Sequence, residues 1–138
     1  MDALYTAVAT ANGREGRAVS SDGTLDLPLG FPKSMGGNGE GTNPEQLFAA
    51  GYAACFASAL GAVGRQEKID VKDASVTAEV SIGKDAGDGG FALSVALRVE
   101  LPDHLQGEAG QALLEKAHAF CPYSKATRGN IPVELVVE

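Results

Sequence analysis

The sequence predicts an α+β fold, and three observations carry that reading. Short alternating segments fill the chain before residue 30. One long stretch from Thr42 to Leu60 is apolar and small on nearly every face. Two clean period-two runs, 74–82 and 91–101, precede an amphipathic segment and a last alternating one. The order βββ-α-ββ-α-β consists of hairpins and isolated helices rather than βαβ repeats, which is the α+β pattern. At 138 residues the chain is expected to form a single domain over 1–138, long enough to bury a core without staples.

Each element has a local reason. Residues 4–11 carry Tyr5, Thr6 and Val8 and read as a first strand; Asn12-Gly13-Arg14-Glu15-Gly16 is a hairpin turn signal. Residues 17–20 return as a second strand, Ser21-Asp22-Gly23 turns again, and 24–29 alternate as a third. Residues 30–41, rich in Gly, read as a flexible connector; they lack the Gly-Lys-Ser/Thr ending and the spacing of a phosphate loop. The long helix opens with Asn43 as cap, Pro44 at its first position and Gln46 or Glu45 able to close a capping box. It runs to about Val63, where Gly64 can end it. An all-round apolar helix is expected to be buried at the centre of a domain; its Gly, its Ser and its polar flanks argue against a membrane span.

In the next two strands Val76, Ala78, Val80 and Ile82 share one face, and Leu93, Val95, Leu97, Val99 and Leu101 do the same, with Thr77, Glu79, Ser81, Ser94, Arg98 and Glu100 opposite. That alternation predicts a hairpin with one wet face. Residues 105–120 form a second helix, amphipathic through Ala109, Leu113, Ala117 and Phe120; Cys121-Pro122 stops it, since the residue before Pro avoids the α region. A loop then leads to a last strand over 131–137.

A net charge of −7 argues against nucleic acid and anionic membrane surfaces as partners. The start, Met1-Asp2-Ala3-Leu4-Tyr5, has no basic head or apolar run, so a cytoplasmic, reducing compartment is expected. Two cysteines there are seldom a structural disulfide. Cys55 and Cys121 lie 66 positions apart, which fits neither a CxxC motif nor a zinc knuckle. His104 and His118 are too far apart in sequence for the usual zinc pair, so no metal is expected.

The bland reading of Cys55 is a small buried hydrophobe. The chemical reading is a thiol pair with a division of labour. Cys55 on a rigid helix attacks a peroxide oxygen and becomes a sulfenic acid; Cys121, at a helix end where the chain can move, condenses with it to a disulfide. The reactive species is the thiolate. Cys55 lies about three turns into its helix, beyond the reach of the helix dipole, so a cation must come from elsewhere. Arg14, Arg17 and Arg128 are the candidate cations; Glu45 and Glu15 are the candidate carboxylates to fix one of them.

At this point three motifs coincide: Gly13-Arg14-Glu15-Gly16-Arg17 through Gly23, Thr42 through Phe56, and Cys121-Pro122-Tyr123-Ser124-Lys125-Ala126-Thr127-Arg128-Gly129-Asn130-Ile131. Together they resemble the organic hydroperoxide resistance proteins of the wider osmotically inducible, OsmC-like superfamily, nearly end to end. The resemblance implies antiparallel sheets packed around a long buried central helix in an intertwined homodimer. It implies a cysteine-based peroxidase reducing organic hydroperoxides to alcohols, with Cys55 peroxidatic, Cys121 resolving, Arg14 activating the thiolate and Glu45 orienting Arg14; Arg17 is the neighbouring alternative to Arg14. It implies no bound cofactor or metal, and reduction of the disulfide by dihydrolipoyl groups on lipoylated proteins. Glu45 and Cys55 are ten residues apart, roughly 15 Å along a straight helix and on different faces. If both serve one site, Glu45 is expected to come from the partner subunit. The competing functions are the osmotically inducible branch with broader peroxide use, a redox sensor that records oxidation once, and a binding module for apolar ligands with Cys55 inert.

Overall fold

The computed structural model describes all residues, Met1–Glu138. They form two compact units, Met1–Leu47 and Phe48–Glu138.

The first unit is a three-stranded antiparallel sheet, β1 (Ala9–Thr10), β2 (Gly16–Ser20) and β3 (Asp26–Leu29), in the order β1-β2-β3. The strand expected over 4–11 shrinks to two residues. β1 pairs only as far as Ala9 opposite Ser20, because β2 then turns away. That turn is tied by its own side chains. The Ser20 hydroxyl contacts Asp22 Oδ1 at 2.6 Å, and the N–H groups of Thr24 and Leu25 donate to Asp22 Oδ1 and Ser20 Oγ. Leu4 and Tyr5, upstream of β1, stay exposed. Pro28 sits in β3, an edge strand of the sheet, where a missing N–H is tolerated.

Residues 30–41 are not a flexible connector. The backbone folds back on itself: Gly30 N–H donates to the Thr42 carbonyl at 2.9 Å and Thr42 N–H to the Pro28 carbonyl at 2.8 Å. A Cβ on Gly37 would stand 2.0 Å from the Phe31 carbonyl oxygen, so this glycine is required by close backbone approach.

The second unit carries the helix α1 (Pro44–Glu67, starting in the last residues of the first unit), the strands β4 (Ser75–Lys84), β5 (Phe91–Glu100) and β6 (Val133–Val137), and the helices α2 (Glu108–Phe120) and α3 (Pro122–Thr127). Asn43 caps α1 as expected, accepting from Gln46 N–H at 2.8 Å. The box is half closed, with the Gln46 side chain meeting the Thr42 hydroxyl instead. The β4–β5 hairpin has the register the alternation requires: Val76, Ala78, Val80 and Ile82 stand opposite Val99, Leu97, Val95 and Leu93. Of these, Val76, Ala78, Val80, Val95, Leu97 and Val99 join Tyr52, Phe56, Leu60 and Val63 of α1 and Leu113, Leu114 and Ala117 of α2 in one core.

Four sequence expectations change here. α1 does not end at Gly64 but runs a turn further, to Glu67, closed by Lys68 at φ 58°. Gly64 is buried, and a Cβ there would meet Val71 Cγ2 at 2.7 Å and the Ile69 carbonyl at 2.9 Å, so it is a packing position. α1 is apolar all round, yet only one face is buried. Ala50, Ala54, Ala57 and Ser58, spaced at helical intervals, are exposed. Its length and composition would also suit a membrane crossing, but its large side chains pack into the core. The buried stripe of α2 is Gly110, Leu113, Leu114 and Ala117; Ala109 and Phe120 are exposed. Finally, β6 pairs with β5 in parallel, so the second sheet is mixed and β5-α2-α3-β6 is a crossover unit, not an isolated helix between antiparallel strands.

Gly64→Ala weighs a helix-propensity gain of about 1 kcal/mol against overpacking of about 1–3 kcal/mol. Because one of the clashing atoms is backbone, overpacking prevails. Thermal unfolding followed by circular dichroism should show a Tm lower by about 3 °C; a higher Tm would contradict the packing role.

Candidate active site

Cys55 and Cys121 are free thiols whose sulfurs lie 3.4 Å apart. α1 supplies Cys55. Cys121 is supplied by the junction of two helices, as the residue that ends α2 and begins α3. Its extended backbone, φ −68° and ψ 127°, is what the following Pro122 demands. Pro122 then opens a new helix rather than the expected loop, because its fixed φ suits a first helical position. Cys121 N–H donates to the Ala117 carbonyl, and the Cys121 carbonyl accepts from Lys125 N–H, so the residue is anchored on both sides.

The sequence sets a rigid Cys55 against a Cys121 at a helix end where the chain can move; the two thiols also differ in exposure. Cys55 is half-buried and Cys121 is completely buried. A group in the accessible position can meet a solute; the buried one can only meet its neighbour. Burial pushes the Cys55 thiol above its ordinary pKa. The backbone N–H of Tyr123, at the start of α3, works the other way, and the adjacent Cys121 thiol adds to the rise. No cation acts on it there.

The Tyr123 ring lies over Gly51, four residues before Cys55 on α1. A Cβ on Gly51 would come within 2.8 Å of the Tyr123 hydroxyl. The ring also packs against Tyr52 and Phe48, with centroids 5.6 and 6.0 Å away. Beside it opens a groove of about 810 Å³ lined by Phe48, Phe91, Leu93, Pro122, Tyr123 and Ile131 among others.

In the first unit Arg14 and Glu45 form a two-pronged ion pair, with Nη1 2.9 Å from Oε2 and Nη2 2.7 Å from Oε1. Their side chains are 30% and 13% exposed. Arg17 instead pairs with Asp26 on the open sheet surface, 55% and 50% exposed. Of the two neighbouring arginines, Arg14 is therefore the one fixed in a drier setting by a carboxylate, which is Glu45 rather than the exposed Glu15. Arg128 donates to the His118 carbonyl at 3.0 Å, closing the end of α2. The hydrogen bonds from Arg14 hold the Glu45 carboxyl below the usual carboxylate range against an opposing push from burial. In turn Glu45 raises Arg14. α1 is unbroken from Pro44 to Glu67, so Glu45 and Cys55 keep their ten-residue separation on one helix, roughly 15 Å along its axis.

Residues 37–136 match the family model of OsmC-like proteins. Over 137 residues the chain is 54% identical to the organic hydroperoxide resistance protein of Xanthomonas axonopodis pv. citri, covering 97% of this chain and 94% of that one.

The chain belongs to the OsmC-like family, in its organic hydroperoxide resistance branch.

Solved structures agree. The organic hydroperoxide resistance protein of Elizabethkingia anophelis superposes with a TM-score of 0.90 at 49% identity, covering 100% of this chain and 99% of that one. OhrB of Bacillus subtilis gives 0.87 at 48%, covering 99% and 100%. The α+β architecture of two sheets and a long helix is thus that of the OsmC-like family.

Sequence reasoning missed a set of polar side chains beside the thiols: Tyr52, His118, Ser124 and Thr127 are hydrogen-bonded to one another. The signal was the spacing of Ser124 and Thr127, which a helix would place on one face; reading that segment as a loop hid it.

Because the folded-state pKa of Glu45 lies below its unfolded value, its pairing stabilises the fold above the usual carboxylate range. That stability is lost as pH falls through the lowered pKa. Glu45→Gln should therefore melt a few degrees below the parent at neutral pH, with the two melting curves converging in acid. A gap that persists unchanged at low pH would show that the ion pair is not its source.

Proposed function

We propose that this protein is a thiol-dependent peroxidase that reduces organic hydroperoxides to alcohols. The observation that carries the reading is the pair of free sulfurs 3.4 Å apart, one half-exposed and one fully buried, in a chain of the organic hydroperoxide resistance branch. The Cys55 thiolate attacks the terminal oxygen of ROOH. The S–O bond forms as the O–O bond breaks, and the departing alkoxide takes a proton to become ROH. Cys55 is now a sulfenic acid. The Cys121 sulfur attacks it, the S–O bond breaks, water leaves, and a Cys55–Cys121 disulfide remains. The sulfurs need to approach by only about 1.4 Å to reach disulfide bonding distance. A dihydrolipoyl dithiol on a lipoylated protein returns both thiols by exchange, itself becoming a cyclic disulfide. A cytoplasmic setting suits thiols that must be recharged after each turn, and the chemistry requires no bound cofactor or metal.

The apolar groove beside Tyr123 supports alkyl or fatty-acid hydroperoxides over hydrogen peroxide, because apolar lining rewards burial of a hydrocarbon chain. Thiolate formation needs a cation, since burial opposes it. Arg14, held by Glu45, fills that role in this reading: it lowers the Cys55 pKa and stabilises the departing alkoxide. A homodimer supplies it, with the partner subunit's Arg14 and the partner subunit's Glu45 beside Cys55. Two observations support an intertwined dimer. The small-residue face of α1 is uncovered, and the first unit exposes Leu4, Tyr5, Val8 and Leu27 while burying only Ala18 among its apolar side chains.

Steady-state assays with tert-butyl hydroperoxide and a lipoyl dithiol test the reading. Cys55→Ser should abolish turnover. Cys121→Ser should allow one oxidation and then stop. Arg14→Lys, which loses the two-pronged geometry, should lower kcat/KM by at least about tenfold, while Arg17→Ala should change it little. Full activity in Cys55→Ser would overturn the proposal.

A further inference from the structure

Beside the two sulfurs runs a chain of polar side chains that the peroxidase steps do not use. Tyr52 belongs to α1, His118 to α2, and Ser124 and Thr127 to α3. Tyr52 and Ser124 are completely buried and Thr127 nearly so. Each element contributes one turn from a thiol: Tyr52 three residues before Cys55, His118 three before Cys121, Ser124 three after it. His118 Nδ1 lies 2.7 Å from Ser124 Oγ. Ser124 Oγ lies 2.8 Å from the Tyr52 hydroxyl, which is 3.0 Å from Thr127 Oγ1. Thr127 Oγ1 in turn lies 3.2 Å from the Ser124 carbonyl oxygen.

Counting protons fixes the direction of this chain. Four contacts need four protons, and three hydroxyls supply three. The carbonyl can only accept, so Thr127 donates to it. The Thr127 oxygen then accepts from Tyr52, the Tyr52 oxygen accepts from Ser124, and the Ser124 oxygen accepts from His118. Any other assignment leaves one contact with lone pairs facing each other, an arrangement buried polar groups avoid.

We propose that His118, as the Nδ1–H tautomer, is the terminal donor of a directed chain His118→Ser124→Tyr52→Thr127 that positions Cys121 against Cys55 for disulfide closure, a role that rests on the thiol-peroxidase reading above. The chain ties together all three helices that carry the thiols and the Tyr123 N–H. During closure the sulfurs must move about 1.4 Å toward each other. Directional bonds one turn from each sulfur keep that movement on the bonding line, where dispersion packing alone would permit sliding. The side-chain hydrogen-bond partner of Cys55 Sγ is Cys121, not one of these four side chains, so they are positioning residues and the first oxidation does not depend on them.

Two measurements test this. In ¹⁵N NMR of the reduced protein, the neutral His118 ring should show a protonated Nδ1 and an unprotonated Nε2; the opposite tautomer would overturn the proton count. In single-turnover oxidation with one equivalent of tert-butyl hydroperoxide, dimedone trapping reads sulfenic acid formation and thiol loss reads disulfide closure. His118→Leu should slow closure about three- to tenfold, the worth of one hydrogen bond, and Tyr52→Phe at least as much. His118→Asn, whose amide N–H takes the place of Nδ1–H, should restore closure to within about twofold. All three should form the sulfenic acid at the parental rate. Closure at the parental rate in His118→Leu and Tyr52→Phe overturns this inference alone. A parent protein that forms no Cys55–Cys121 disulfide removes the peroxidase reading and this role together.

Discussion

Two sulfurs that are not bonded to each other stand 3.4 Å apart, and keeping them there is the constraint on which the second unit depends. Neither thiol supplies the holding force, since an S–H group is a weak donor. It comes from the elements that carry them. α1 is fixed by Tyr52, Phe56, Leu60 and Val63 against the sheet, and α2 by Leu113, Leu114 and Ala117 against the same core. α3 is too short to be stable alone. It is held by Pro122 at its start, by the Tyr123 ring over Gly51, and by the Ser124 and Thr127 hydroxyls on Tyr52. Because Cys121 is the hinge residue between α2 and α3, the docking of α3 sets the sulfur–sulfur distance.

The same burial that fixes the thiols works against their chemistry. It raises the Cys55 pKa, whereas a nucleophilic thiol needs it lowered. Only the Tyr123 N–H acts in the needed direction, and one neutral dipole is a small counterweight. The strong cation is Arg14, fixed by Glu45. In the proposed function, association assembles the reactive state, with one subunit holding the sulfurs and another delivering the guanidinium.

Much of this was legible in the residues. The alternation of Val76–Ile82 against Leu93–Val99 dictated its own register, because a one-residue slip would expose every apolar side chain. Asn43-Pro44 marked the start of α1; the residues alone left Glu45 and Glu15 open as the carboxylate, and the family resemblance singled out the Arg14–Glu45 pair that forms. What escaped notice depended on distant chain. β6 is parallel to β5 because α2 and α3 carry the chain back across the sheet, which no local pattern encodes. Gly64 looked like a stop signal, but Val71 and Ile69, brought back by the following turn, make it a contact point. α1 reads as buried all round because composition alone does not say which of its faces is covered; Ala50, Ala54, Ala57 and Ser58 are exposed. Cys121-Pro122 ends one helix and begins another, and only the first half of that message was read.

In the proposed mechanism the two sulfurs form one intramolecular redox couple. Peptide mapping by mass spectrometry after one equivalent of an organic hydroperoxide tests it most directly. A single disulfide joining the Cys55 and Cys121 peptides of the same chain is expected, with both free thiols lost together. Disulfides between chains, or a sulfinic acid at Cys55 beside an untouched Cys121 thiol, would contradict it.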